Sequence, residues 1–115
     1  MKLIDNNHTR LLAKSMDAYA LRQRTIALNV ANADTPGFKR VQVDFESELQ
    51  KAELRGASNQ DFSKVNPRIT ETDEEVLLED EMMDLADTQI RVQLVTRALR
   101  HNFQMLRASI TGRNM

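Results

Sequence analysis

Few side chains in this sequence have the type and spacing that chemistry requires. The two histidines, His8 and His101, lie near opposite ends of the 115 residues, and neither has metal-ligand spacing around it. Cysteine is absent, which excludes disulfides and thiolate metal sites. The hydroxyl residues Ser15, Ser47 and Thr88 lack a Gly-x-Ser-x-Gly context and a partnered histidine. We therefore expect no catalytic residue, no cofactor and no metal.

The charged residues balance overall but are separated along the chain. The sequence has 16 basic and 17 acidic residues, and its net charge of -1 argues against bulk attraction to nucleic acid or to an anionic membrane. Nine acids and no base lie in residues 71–87, whereas five arginines and no acid lie in residues 91–113. The acidic run lacks the Asp-x-Asp-x-Asp pattern of a calcium loop. We interpret the two runs as complements to the dipole of one helix.

Apolar residues at alternating spacings of three and four predict a long helix near each end of the chain. The first helix is expected over residues 9–32 and the second over residues 79–111, with Gly112 as its stop. The residues at the helix seam are Leu12, Met16, Tyr19, Ile26, Val30, Leu85, Val92, Leu99, Phe103, Leu106 and Ile110. Because each seam needs an apolar partner, we expect a mainly α fold in which the helices pair as an antiparallel coiled-coil-like hairpin.

The connection between the helices is expected to be a turn at residues 33–40, followed by an irregular middle at residues 41–78. Pro36 cannot continue a helix, Gly37 suits the positive φ of a type II turn, and Asn32 suits a left-handed cap. Alternation predicts a short strand over residues 41–45, and helical spacing predicts a short helix over residues 46–55. Residues 56–72 are polar and contain Pro67, which predicts a mobile loop. The whole chain, residues 1–115, is expected to form a single domain.

Apolar residues away from the seam indicate that the paired helices need further neighbours. These residues are Leu11, Leu21, Leu28, Leu94, Val95 and Met105. Another copy of the chain could cover them, or the middle segment could do so within a small monomeric bundle. From periodicity alone, the two interpretations have equal weight.

One stretch of sequence, residues 29–39, favours assembly with other copies over a small monomeric bundle. It reads Asn-Val-Ala-Asn-Ala-Asp-Thr-Pro-Gly-Phe-Lys and resembles the N-terminal signature of flagellar axial proteins, the rod, hook and related subunits of the bacterial flagellum. The residues that match this signature are Asn29, Ala31, Asn32, Thr35, Pro36, Gly37 and Phe38. Residues 81–89 are similar to the opening of the family's C-terminal helix. Residues 90–94 lack the Arg-Ala-Tyr sequence of many members, and the chain is short, so it is most similar to proximal-rod members.

The resemblance implies a structural subunit of the basal-body rod that polymerises through its terminal helices, links the membrane ring to the distal rod and transmits torque. It implies export, unfolded, through the flagellar type III apparatus and assembly in the periplasm. The first residues lack the apolar run of a cleaved signal peptide, and no stretch has the ~20 apolar residues needed to span a bilayer.

The implied partners are other copies, other rod proteins, a ring-to-rod adaptor and the membrane-ring protein. Neither nucleic acid nor direct membrane insertion is expected. The alternative interpretation is a small helical binding or regulatory module, such as a cytoplasmic export chaperone.

Overall fold

The computed structural model of the chain describes residues 7–55 and 65–112. Its elements in chain order are α1 (Asn7–Ala31), β1 (Val41–Asp44), α2 (Glu46–Arg55), β2 (Arg68–Glu71) and α3 (Leu78–Thr111). The long helices α1 and α3 pack against each other. The expected mainly α fold with paired terminal helices is therefore confirmed.

The two long helices run antiparallel and differ in length. Asn29, near the end of α1, bonds to Glu81, near the start of α3. Ten residues earlier in α1 and ten residues later in α3, Tyr19 interacts with Arg91. Extending this register places the first residue of α1 opposite about residue 103 of α3. Residues 104–111 of α3 therefore extend beyond α1. Within residues 7–55 and 65–112, no helix combines the length and apolarity needed to cross a bilayer.

The middle segment contains a two-stranded antiparallel sheet. Val41 lies opposite Glu71, and Asp44 lies opposite Arg68. The expected strand and short helix are present, but the prediction of a mobile loop over residues 56–72 is wrong for Arg68–Glu71, which forms β2. This strand has one apolar residue, and pairing with β1 stabilises it, a contact that local sequence does not reveal. Residues 56–64 lie outside the described part of the chain.

A small apolar core lies where α2 packs on the first half of α1. Phe45, Ala18 and Val65 are buried together, and Leu11, Leu49 and Ala52 pack around them. Leu49 and Ala52 are three residues apart on α2, so both lie on the helix face that meets α1. The middle segment thus covers one side of α1.

The ends of the long helices differ from the expected caps. None of the described residues other than glycine has a positive φ, so the prediction of Asn32 as a left-handed cap is wrong. Its backbone N–H instead donates to the Leu28 carbonyl at 3.1 Å, and its side-chain amide donates to the same carbonyl at 2.9 Å. The helix end is satisfied without a left-handed residue. Gly112 ends α3 in the right-handed region, with φ -64°.

Candidate assembly site: the signature turn and the polar junction

The signature residues after α1 form a tight turn closed by one backbone hydrogen bond. The N–H of Phe38 donates to the Thr35 carbonyl at 3.2 Å, and Gly37 between them has φ 77°. A Cβ placed on Gly37 would meet no atom within 4 Å. Glycine is therefore required here by backbone conformation, and the surrounding space is open. The predicted positive φ of Gly37 is confirmed.

Asn29 connects the last turn of α1 to the first residue of β1. Its side chain is fully buried; Nδ2 donates to the Val41 carbonyl at 2.8 Å, and Oδ1 accepts from the Val41 N–H at 3.0 Å. The side-chain amide thus satisfies both backbone groups of Val41, as a neighbouring strand would. These two bonds close residues 29–41 into a loop that contains the signature turn.

Glu81 brings the start of α3 to the same place. Its carboxylate is fully buried; Oε2 accepts from Asn29 Nδ2 at 3.2 Å, and Oε1 accepts from Arg40 Nε at 2.7 Å. A buried carboxylate is costly unless it is paired and hydrogen-bonded, and here both conditions are met. We call Asn29, Arg40, Val41, Glu81 and Asp84 the polar junction.

Arg40 lies at the centre of the polar junction. Its Nη2 donates to Asp84 at 2.9 Å, while its backbone N–H donates to the Glu74 carbonyl at 2.8 Å. Its carbonyl accepts from the N–H and the hydroxyl of Thr72. Burial favours the neutral guanidine, but the bonds and charges of Glu81 and then Asp84 outweigh it, so the pKa of Arg40 is raised. Arg40 thereby joins the turn, the segment after β2 and α3.

A cleft of about 310 Å³ lies beside the polar junction, between α1, β1 and α3. At its rim, Arg22 donates to Glu46 and to the Val43 carbonyl, and Arg91 donates to Asp87. The bond from Arg22 is the main cause that lowers the pKa of Glu46.

The floor of the cleft includes the Thr25 and Thr88 hydroxyls, each donating to a carbonyl of its own helix. These hydroxyls and ionised groups are engaged in structural bonds and form no nucleophile–base pair. Across residues 7–55 and 65–112, no cluster of three or more His, Cys, Asp or Glu could hold a metal ion.

The predicted seam residues vary in burial. Tyr19, Ile26 and Leu106 are buried, whereas Phe103 is 54% exposed and Ile110 is 48% exposed. The remaining six are half-buried: Leu12, Met16, Val30, Leu85, Val92 and Leu99. Phe103 and Ile110 lie where α3 reaches the end of α1 and extends beyond it.

The predicted signature residues divide in a similar way. Asn29 is buried, and Asn32 and Phe38 are half-buried. The exposed members are Ala31, Thr35, Pro36 and Gly37. The assembly role of the signature and seam residues stays a prediction.

Sequence reasoning missed the pairing of Arg40 with Glu81. The two residues are 41 positions apart, so no local spacing connects them. One signal was available: Glu81 precedes Leu85 by four residues and Thr88 by seven, which places a charge on the seam side of α3. A charge at such a position indicates a buried partner.

Comparison with known proteins is consistent with this geometry. A family model described as "Flagella basal body rod protein" matches residues 13–39, which include most of α1 and the signature turn. The flagellar basal body rod protein FlgB of Borreliella burgdorferi is 30% identical over 116 residues, covering 79% of this chain and 86% of that protein.

Two further relatives carry the same name. FlgB of Borrelia hermsii is 46% identical over 59 residues, covering 50% of this chain and 44% of that protein. FlgB of Salmonella typhimurium is 45% identical over 47 residues, covering 41% of this chain and 34% of that protein. The resemblance expected from the signature is confirmed, and this chain belongs to the flagellar basal body rod protein family.

Proposed function

We propose that this chain, a structural subunit of the basal-body rod by its family, polymerises through its two terminal helices. In the proximal rod it would link the membrane ring to the distal rod and transmit torque for motility. The observation that carries this proposal is the set of large apolar side chains left exposed on the long helices. The principal ones are Leu28, Ile90, Leu94, Phe103, Met105 and Ile110.

Exposed apolar surface on this scale supports an assembly role. Monomeric soluble proteins rarely leave contiguous apolar stretches uncovered, and larger ones mark interaction surfaces. On α3, Phe103 and Ile110 continue the seam past the end of α1, so a helix from a neighbouring subunit could extend the same packing. Contacts of this kind repeat along a polymer and need no catalytic chemistry.

The signature turn and the polar junction support a mechanical role. Asn29, Arg40 and Glu81 hold the turn, β1 and the start of α3 to one another through one buried and two part-buried bonds. A buried, fully paired network resists deformation because any displacement leaves a polar group unsatisfied. We infer that the middle segment projects from the helices at a fixed angle, which torque transmission requires.

The partners that follow are other copies of the chain, other rod proteins, a ring-to-rod adaptor and the membrane-ring protein. The type III export apparatus would be a partner in transit, with assembly in the periplasm. Engagement of the cleft's polar groups in structural bonds supports a non-enzymatic role. The balanced net charge of -1 supports the absence of a nucleic-acid partner or direct membrane insertion.

Deletion followed by imaging tests the proposal. Basal bodies purified from a flagellated host that lacks this chain should retain the membrane ring and lack the rod. Supplying the intact chain should restore the rod, and so should the Gly112→Ala variant, whose added methyl group meets open space. A normal rod in the deletion strain would overturn the proposal.

A further inference from the structure

Helix α3 carries two charged patches on the sides turned away from α1. The side that faces α1 is marked by the buried residues Glu81 and Thr88, and the buried Leu106, past the end of α1, lies on the same side of the helix. The acidic patch, near the start of α3, consists of Glu79, Asp80, Met82 and Met83. The basic patch, towards its end, consists of Arg97, Arg100, Met105 and Arg107. Every member of both patches is exposed, with Met83 at 71% and Met105 at 59%.

Among the described residues, the charged side chains of both patches have no oppositely charged partner. Within residues 7–55 and 65–112, neither acid and none of the three arginines forms an ion pair. Other charged residues of α3 are paired: Arg91 with Asp87 of the same helix, and Asp84 with Arg40, which precedes β1. The patches thus combine unpaired charge with exposed methionine, a composition suited to a contact between molecules.

The helix dipole accounts for the acids but not for the bases. Glu79 and Asp80 lie in the first turn of α3, where negative charge is favourable. The last turn contains no basic residue, and Arg97 and Arg100 lie well before it. Dipole effects fade beyond the terminal turn, so our interpretation of the arginine run as a complement to the dipole is wrong for Arg97 and Arg100. Arg113, the last arginine of the run, lies outside the described residues. The helix dipole therefore does not explain the position of the basic patch.

We propose that the acidic patch of one copy docks on the basic patch of a second copy, with the two α3 helices parallel and displaced along their axes. This rests on the proposed rod function and identifies the surfaces used. Met83 and Met105 are about 22 residues apart, or about 33 Å along a helix and close to six turns. Both patches therefore lie on similar sides of α3, and a displacement of that size brings Met83 of one copy beside Met105 of the next.

Charge determines the displacement. Two parallel copies in register would place acids beside acids and arginines beside arginines, which is unfavourable. A displaced pair leaves one acidic patch and one basic patch unused, so further copies can add in the same orientation. A reversed, antiparallel pair would also match the charges, but it uses all four patches and closes the assembly at two.

The contact is small and therefore weak in isolation. A displacement of about 22 residues leaves roughly 12 residues of overlap between the two helices, about 18 Å. Exposed charge pairs are screened by salt, so the contact should weaken as ionic strength rises. Within a polymer it acts together with the other contacts of each subunit, which raises its effective strength.

Disulfide trapping tests the arrangement directly because the chain contains no cysteine. Basal bodies carrying the double variant Met83→Cys with Met105→Cys, treated with a mild oxidant, should yield dimers and larger cross-linked species on a non-reducing gel. Each single variant should yield none. A Leu94→Cys variant separates the two orientations: it should stay monomeric in the displaced pair, whereas a reversed pair would bring two copies of position 94 together.

Charge reversal gives a second, independent test. Arg100→Glu and Glu79→Arg should each lower incorporation into basal bodies by about tenfold, and the two changes combined in one chain should restore it. Arg24→Glu, which reverses an exposed charge on α1, serves as the matched control and should leave incorporation unchanged.

The outcomes distinguish the docking from the rod function itself. Absence of the unmodified chain from purified basal bodies would overturn the proposed function. If the chain is present but the double-cysteine variant gives no cross-linked species, or Leu94→Cys gives dimers, the displaced docking is wrong and the rod function stands. Failure of the combined charge reversal to restore incorporation would also overturn the docking.

Discussion

The side chain of Asn29 bonds to two distant parts of the chain, and its residue type alone does not predict either partner. Its amide satisfies both backbone groups of Val41 and also donates to the buried carboxylate of Glu81. The sequence identified both Asn29 and Asn32 as parts of a signature, but only the amide of Asn32 donates to a carbonyl at the end of its own helix. The actual partners of Asn29 are 12 and 52 residues away, so only the folded chain reveals them.

Replacing Asn29 with alanine should therefore destabilise the fold substantially. The change removes the partner of the part-buried Val41 N–H and carbonyl and one donor to the buried Glu81 carboxylate, and an unsatisfied buried group costs about 1–3 kcal/mol. We expect a lower urea midpoint at pH 7, measured by circular dichroism, with a loss of about 2–4 kcal/mol in unfolding free energy. Asn32→Ala is the matched control, since its amide bonds at an exposed helix end. Equal losses in both variants would contradict the stabilising role of the bonds that Asn29 makes to Val41 and Glu81.

The positive φ of Gly37 leads to a second prediction at this scale. Gly37→Val should cost about 1–2 kcal/mol or more, because a β-branched residue is strained in the left-handed region. We expect the variant to be exported and to fail in rod assembly, which imaging of basal bodies and a motility assay would detect. Gly112→Val is a control with right-handed backbone and open space. Normal motility of Gly37→Val would refute the prediction.

The three helices could be predicted from the sequence, whereas the pairing of β1 with β2 could not. Helical spacing identified α1, α2 and α3 because each has an apolar face that local sequence reports directly. Strand β2 has only one apolar residue, Ile69, so its sequence shows no alternation of apolar and polar residues. Ile69 is exposed, so burial in the core does not hold the strand in place. Its stability comes from pairing with β1 and from the bonds of Thr72 to Arg40, contacts between distant parts of the chain. The unusual charge position of Glu81 was the one local sign of the polar junction.

The ion pair between Arg22 on α1 and Glu46 on α2 predicts a pH-dependent link between these helices. Because the folded-state pKa of Glu46 is lowered from 4.5, its stabilisation is present above that value and is lost as pH falls through the lower folded pKa. Glu46→Gln should therefore be less stable than the unmodified chain at pH 7 and equally stable in strong acid. The half-exposed carboxylate limits the difference to about 0.5 kcal/mol.

Urea midpoints measured across this pH range would show the effect. Glu53→Gln changes an exposed acid on the same helix and provides the comparison. A constant difference between Glu46→Gln and the unmodified chain at every pH would show that the ion pair is not responsible.

The whole molecule is long and thin for its mass. Its principal extents are 65 × 31 × 15 Å, and its radius of gyration of 17.8 Å exceeds the roughly 13 Å of a compact chain of this length. Its accessible surface of 8424 Å² exceeds the roughly 6,400 Å² of a compact 13.2 kDa protein. Such a shape leaves much of both long helices available to neighbours, as a structural rod subunit requires.

We expect the purified chain to behave as an elongated species whose helix content rises on association. Sedimentation and circular dichroism over a range of concentrations would measure both properties, since association stabilises the associated form by mass action. Ile90→Gln, which removes an exposed apolar side chain from α3, should weaken association without lowering helicity at low concentration. A compact monomer whose helicity is independent of concentration would contradict the expectation.

The bond between Asn29 and Glu81 spans 52 positions of the chain, so it can form only when both halves of the chain are available. A polypeptide that emerges with its amino terminus first presents α1 and the signature turn long before the carboxylate that completes their packing. Until Glu81 emerges, Asn29 and Arg40 lack their shared acceptor, and the nascent segment has little reason to become rigid. We therefore expect the signature turn to become rigid only after the second half of the chain, which contains Glu81, is available to pack against it.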